Sequence, residues 1–159
     1  MATGRDVLPP RILVDADACP VKEEVFRVAQ RLGVPVVVVS NSRMRVPLAT
    51  GVELVVVQSG QLDDVDDWIA ERAAPADVVV TADIRLAARC LAAGAQALGP
   101  DGRPFTEDAI GDALATRELM AGLREAGAVS GGPRPFARED RSRFLHALDA
   151  AIRIARSRK

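Results

Sequence analysis

The sequence predicts an α/β protein in three layers, with a central, mostly parallel sheet flanked by helices. Three observations predict it. Apolar runs such as residues 34–39 and 78–80 are rich in valine and lack polar alternation, as strands buried on both faces do. Between such runs lie segments whose apolar residues recur at helical spacing. That alternation argues for βαβ units with right-handed crossovers. The apolar side chains are mostly Ala, Val and Leu, with 3% aromatics and no tyrosine, which suits helices packed on a sheet.

The elements follow in order. Residues 12–14 form a buried strand that ends in Asp15 and Asp17. Pro20 stands where a helix can begin, because its missing N–H costs nothing there. Val21, Val25, Val28, Ala29 and Leu32 then mark one helical face, and Gly33 closes it as a left-handed C′ residue. Residues 34–39 form the second strand, ending at Ser40 and Asn41, and residues 52–57 form the third. Asp63, Asp64, Asp66 and Asp67 open a second helix that runs to about Ala73. Residues 77–81 form a fourth strand, which delivers Thr81 and Asp83. A third helix covers residues 84–93 and stops at Gly94, and residues 96–98 form a fifth strand. Gly99-Pro-Asp-Gly102 signals a turn. Two further helices are expected, over 106–126 with Thr106 near its N-cap, and over about 138–156. A Gly/Pro break at 131–136 separates them.

The 159 residues suit one domain, with residues 1–10 as a flexible tail and 11–157 as the folded unit. No apolar run approaches the ~20 residues of a membrane span, and the N-terminus lacks the apolar core of a signal peptide. The expected location is the cytoplasm. Two cysteines without a CxxC spacing fit a reducing compartment. Cys19, beside the acid pair, reads as a small buried residue rather than a reactive thiol. The single histidine, His146, argues against a His-based zinc site and against a Ser-His-Asp triad. Charge is unevenly spread, +5 from Pro133 onward against −6 before it. An acidic body with a basic tail is compatible with a metal site beside an anion-binding surface.

Under this reading several polar groups reach the carboxyl edge of the sheet, where open α/β sheets bind ligands. They are Asp15 and Asp17, Ser40 and Asn41, Asp83, and the acidic helix start. Carboxylates crowded together repel, and a divalent cation neutralises them. Oxygen ligands without His or Cys favour Mg²⁺ or Mn²⁺. Each acid also has a structural alternative as a helix cap or a first-turn acid. Within the acidic helix start Asp66 is preferred, because Asp63 and Asp64 suit capping and Trp68 and Ile69 begin the buried face.

Four segments together resemble the bacterial YaiI/YqxD family. They are Asp-Ala-Asp-Ala-Cys-Pro-Val-Lys (15–22), Val-Val-Thr-Ala-Asp-Ile-Arg-Leu-Ala (79–87), Gly-Gly-Pro-Arg-Pro-Phe (131–136) and Glu-Asp-Arg (139–141). The resemblance covers roughly residues 11–150, and the combination is specific where any one piece is not. It implies a PIN-like sandwich, a fold whose active members are Mg²⁺/Mn²⁺-dependent ribonucleases. The PIN acids fall on Asp15, Asp66 and Asp83 as metal ligands, with Asp17 as an extra acid. Thr81-x-Asp83 resembles the PIN Thr/Ser-x-Asp motif. Arg85 stands where many relatives are expected to have proline, which puts the entry to the third helix in question.

The leading function is a Mg²⁺- or Mn²⁺-dependent nuclease or phosphodiesterase acting on RNA, with Asp15, Asp17, Asp66 and Asp83 as its catalytic acids. Asp17 would ligate or orient water. Ser40, Asn41 and Thr81 would contact the phosphate or metal-bound water, and Arg134, Arg138 and Arg141 would hold a single-stranded RNA backbone. One alternative is a non-catalytic RNA- or protein-binding module. Another is a haloacid-dehalogenase-like phosphatase with Asp15 as nucleophile and Asp17 as general acid. Against the phosphatase, Pro20 leaves little room for a flap.

Overall fold

Five short, largely apolar segments pair in the computed structural model, which describes residues 9–17, 19–57, 64–125 and 136–157. They are β1 (Ile12–Asp15), β2 (Val36–Ser40), β3 (Val52–Val56), β4 (Val78–Val80) and β5 (Gln96–Leu98). The sheet order is β3-β2-β1-β4-β5, and all four pairings are parallel. The expected sheet is therefore present with its five strands parallel, and one isolated antiparallel bridge joins Leu98 to Pro104. Leu13 pairs with Val37 on one side and Val79 on the other, so β1 is the central strand.

The helices are α1 (Lys22–Leu32), α2 (Asp64–Arg72), α3 (Ile84–Ala92), α4 (Glu107–Glu125) and α5 (Arg138–Ser157). Side chains alternate across each strand, and the sheet has two apolar faces. Ile12, Val14, Val36, Val38, Val78 and Val80 pack against α1 and α5 through Val25, Val28, Phe144, Leu148 and Ile152. Leu13, Val37, Val39 and Val79 pack against α2 and α3 through Val65, Ile69, Leu86 and Cys90. From β1 the chain steps to β2 on one side, and from β4 to β5 on the other. Crossovers of one hand then place α1 and α3 on opposite faces, as observed. α4 covers the outer side of α3 around Ala87, Ala97 and Ile110.

Local chemistry sets the ends. Gly33 is left-handed (φ 67°), as a C-terminal cap of this kind requires. Thr106 Oγ1 accepts the Ala109 N–H at 3.1 Å, the expected cap. β2 begins at Val36 rather than residue 34, because the Val34 N–H closes the end of α1 on the Ala29 carbonyl and Pro35 has no N–H. Gly102 is the turn glycine with a strict requirement. Its φ is +84°, and a Cβ there would lie 2.6 Å from the Arg143 and Phe144 backbone.

Pro20 does not begin α1. It lies in a turn, and Val21 precedes the first helical residue, Lys22. The Cys19 N–H bonds to the Ala16 carbonyl, and the Lys22 ammonium donates to the carbonyls of Ala16 (3.3 Å) and Cys19 (3.0 Å). The Pro20 carbonyl accepts from Arg141 Nη1 instead of a helical N–H. This tight turn delays the helix by two residues.

Candidate active site at the crevice between β1 and β4

The order of strands reverses at β1. The connection after β1 leaves toward β2, and the connection after β4 leaves toward β5. A crevice opens between two such diverging connections, outside the carboxyl ends of the strands. Asp15 ends β1 at this point, and Thr81 and Asp83 follow β4.

Thr81 is buried and joins the two acids. Its Oγ1 donates to Asp15 Oδ2 at 2.8 Å and accepts the Asp83 N–H at 2.9 Å. The hydroxyl's single proton goes to Asp15, so Asp15 is the acceptor. Burial raises the Asp15 pKa above its ordinary value. The Thr81 bond opposes that shift, and the charges of Asp17 and Asp83 reinforce it. Three carboxylates thus share one electrostatic neighbourhood, and burial makes Asp15 harder to ionise than a free carboxylate.

Asp83 caps α3. Its Oδ1 accepts the N–H groups of Arg85 (2.8 Å) and Leu86 (3.2 Å). The capping alternative is therefore correct for Asp83. Its Oδ2 accepts no hydrogen bond among the described residues. Arg85 causes no irregularity at the helix entry. It supplies a backbone donor that a proline would lack.

Asp66 lies in the first turn of α2. It shares a cleft of about 240 Å³ with Asp67, Asp83, Arg85, Leu86 and Arg89. Asp67 is paired with Arg89 at 2.7 Å, and this bond raises the arginine's pKa. Asp83 is common to both arrangements, facing Asp66 across the cleft and Asp15 through Thr81. Asp63, an expected capping residue, lies outside the described residues.

Ser40 is buried at the end of β2 and donates to Asp17 Oδ1 at 3.5 Å, a long hydrogen bond. It also accepts the Ser42 N–H at 3.2 Å. Asn41 and Asp17 are exposed. Arg138 is exposed at the start of α5. Arg141 is committed, with Nη1 on Glu24 at 3.1 Å and on the Pro20 carbonyl, and its guanidinium 4.9 Å from the Phe136 ring centre. Arg134 lies outside the described residues.

Sequence patterns assign no role to Lys22 or Glu24. Lys22 stands within the 15–22 segment, but its task is to bind carbonyls, which no spacing rule announces. Glu24 is buried and pairs with a residue 117 positions away. Cys19 and Cys90 are buried free thiols. Burial raises the Cys19 pKa and pushes Cys90 up to about 11, so Cys19 is the packed residue expected rather than a nucleophile.

The carboxylate set fits a hard cation in kind. Among the described residues, no three His, Cys, Asp or Glu side chains are gathered closely enough to enclose an ion directly. Mg²⁺ commonly keeps several waters and binds through one or two carboxylates. Acids linked through a hydroxyl and across a cleft suit such a hydrated ion better than a dry cage.

Comparison with known proteins gives one consistent result. Residues 13–154 match the model of a family described as "Uncharacterized BCR, YaiI/YqxD family". A protein of Rhodopseudomonas palustris (strain HaA2) is 56% identical over 154 residues, covering 96% of this chain and 93% of its own. One from Brucella ovis is 61% identical over 142 residues, covering 89% and 88%. One from Nitrobacter winogradskyi is 55% identical over 146 residues, covering 92% of each. All three carry the name "UPF0178 protein", which specifies no activity.

Proposed function

The chain belongs to the YaiI/YqxD family, and from the geometry of its crevice we propose that it is a Mg²⁺- or Mn²⁺-dependent nuclease or phosphodiesterase acting on RNA. The observation that carries this reading is the Thr81 bridge, which ties Asp15 and Asp83 together at the point where the strand order reverses. Asp15, Asp66 and Asp83 would hold the ion, directly or through water. When bound, the ion lowers the pKa of a water and stabilises charge on the phosphoryl oxygens.

The protein's own groups do the rest. Thr81 fixes the orientation of the Asp15 carboxylate, and the Asp17 backbone N–H also bonds to it. Ser40 restrains Asp17, and the exposed Asn41 and Arg138 stand ready for phosphate oxygens.

The phosphatase alternative needs Asp15 ionised as nucleophile. Metal ligation needs the same ionised form, so the raised Asp15 pKa does not separate the two enzymes; the tight turn from Cys19 to Lys22, directly after the acids, leaves little room for the flap a phosphatase needs.

End-labelled single-stranded RNA with Mn²⁺ tests the proposal. Slow cleavage by the wild type, lost in Asp15→Asn, supports it. Retention of RNA binding without cleavage by the wild type favours the binding module.

A further inference from the structure

The layer formed by α1 and α5 carries a groove of about 570 Å³, on the face of the sheet opposite the Asp66–Asp83 cleft. Its charged lining is Arg27 and Arg31 from α1 and His146, Asp149 and Arg153 from α5. Arg31 and Arg153 both bond to Asp149. The Arg153 hydrogen bond, chiefly, lowers the Asp149 pKa. Arg27 is exposed and makes no ion pair among the described residues. Three guanidinium groups therefore face one carboxylate, and the groove keeps an excess of two positive charges before His146 is counted.

Beyond the groove the α1/α5 seam continues toward the candidate active site through the Arg141–Glu24 ion pair, which adds no net charge. Arg141 sits at the start of α1, on Pro20 and Glu24, beside the turn that follows Asp15. Arg156 bonds to the Leu32 carbonyl at the other end. α1 and α5 thus run in the same direction, with cations from both along their seam. The 11 residues of α1 span about 16 Å, long enough to lie along more than one phosphate of a single strand.

We propose that the α1/α5 groove binds the phosphate backbone of single-stranded RNA whose adjoining segment enters the β1/β4 crevice. The proposal rests on the nuclease reading for the identity of the polyanion. Guanidinium groups suit phosphate oxygens. A chain with 3% aromatics offers little base stacking, so backbone binding with little sequence preference is expected. The competing view is that Arg31, Asp149 and Arg153 only staple two helices together.

Fluorescence anisotropy of a labelled oligouridylate with the full-length protein, across a salt series, separates these views. Arg27→Glu breaks no ion pair among the described residues. It should weaken binding about fivefold and lower the log–log salt slope by about 0.7, the value for one phosphate of a single strand. Asp149→Asn removes the groove's one carboxylate and should tighten binding about threefold. Arg103→Glu, an exposed charge reversal outside the groove, should bind as wild type. Melting curves accompany each variant. If Arg27→Glu binds RNA as the wild type does, the proposal is overturned, whatever Asp149→Asn does to folding. A folded Asp149→Asn that gains no affinity also overturns it, in favour of the staple. Tighter binding of labelled polyglutamate than of RNA, with the same dependence on Arg27, would replace RNA by an acidic protein partner. Absence of cleavage with this binding pattern intact would reject the nuclease reading and keep the groove. Cleavage with KM unchanged in Arg27→Glu would do the opposite.

Discussion

Thr81 Oγ1 lies 2.8 Å from Asp15 Oδ2, and through this bond the ends of two adjacent strands, 66 residues apart in sequence, act as one unit. The same oxygen accepts the Asp83 N–H, so the bond orders both the acid after β1 and the cap of α3. Thr81→Val keeps the shape and removes both interactions. Loss of hydrogen bonds at a buried site costs roughly 1–2 kcal/mol, or a fall in Tm of about 3–6 °C for a chain of this size. Thr81→Ser should restore most of the stability. RNA cleavage at a temperature where all three forms are folded should fall at least about tenfold in Thr81→Val and recover in Thr81→Ser.

How far the site was legible depends on which force sets each part. Asp15, Thr81 and Asp83 could be placed because a buried strand must end somewhere, and polar residues mark the ends of apolar runs. The parallel order followed from strands alternating with helices. The central position of β1 did not, because it depends on which strand β4 chooses as neighbour. Pro20 misled because its preference for a helix's first turn was outweighed by hydrogen bonds from Lys22 and Arg141 to the turn's carbonyls. The basic tail was visible as net charge. Its partition into ion pairs with Glu24, Asp140 and Asp149 is a tertiary fact, and so is the α1/α5 groove.

Asp15 should impose a pH dependence on stability. Its folded pKa is raised by burial and by Asp17 and Asp83, so the folded state holds the proton more tightly than the unfolded state. Stability from this group is therefore fully present below the unfolded pKa and is lost as pH rises through the folded value. Asp15→Asn removes the titration while retaining an acceptor for Thr81. The variant should melt higher than wild type at neutral pH without added metal, and the gap should close below about pH 4. A constant gap across that window would contradict the assignment.

Divalent metal should reverse that order. Binding to the folded state alone stabilises by mass action, roughly 1.4 kcal/mol at ten times Kd, or about 3–6 °C in Tm. Mn²⁺ should raise the wild-type Tm by this amount and have little effect on Asp83→Asn, which keeps the α3 cap. An equal rise in both proteins would place the ion elsewhere.

Both thiols should be inert in the native protein. Cys90 titrates near 11 and Cys19 is shifted in the same direction, each by burial. At neutral pH the thiolate is the scarce form, and access is blocked as well. Labelling with iodoacetamide should proceed at least about a hundredfold faster after unfolding in denaturant than before it. Rapid native labelling of Cys19 would reopen its role as a nucleophile.

On the proposed function, the acids at the β1/β4 crevice support metal-dependent attack of water on a phosphodiester. The most direct measurement compares RNA cleavage and p-nitrophenyl phosphate hydrolysis, both with Mn²⁺, for the wild type and for Asp15→Asn, Asp66→Asn and Asp83→Asn. Slow RNA cleavage by the wild type, no appreciable monoester turnover and loss of cleavage in each folded variant are expected. Monoester turnover that disappears in Asp15→Asn but survives in Asp66→Asn would contradict the proposed function.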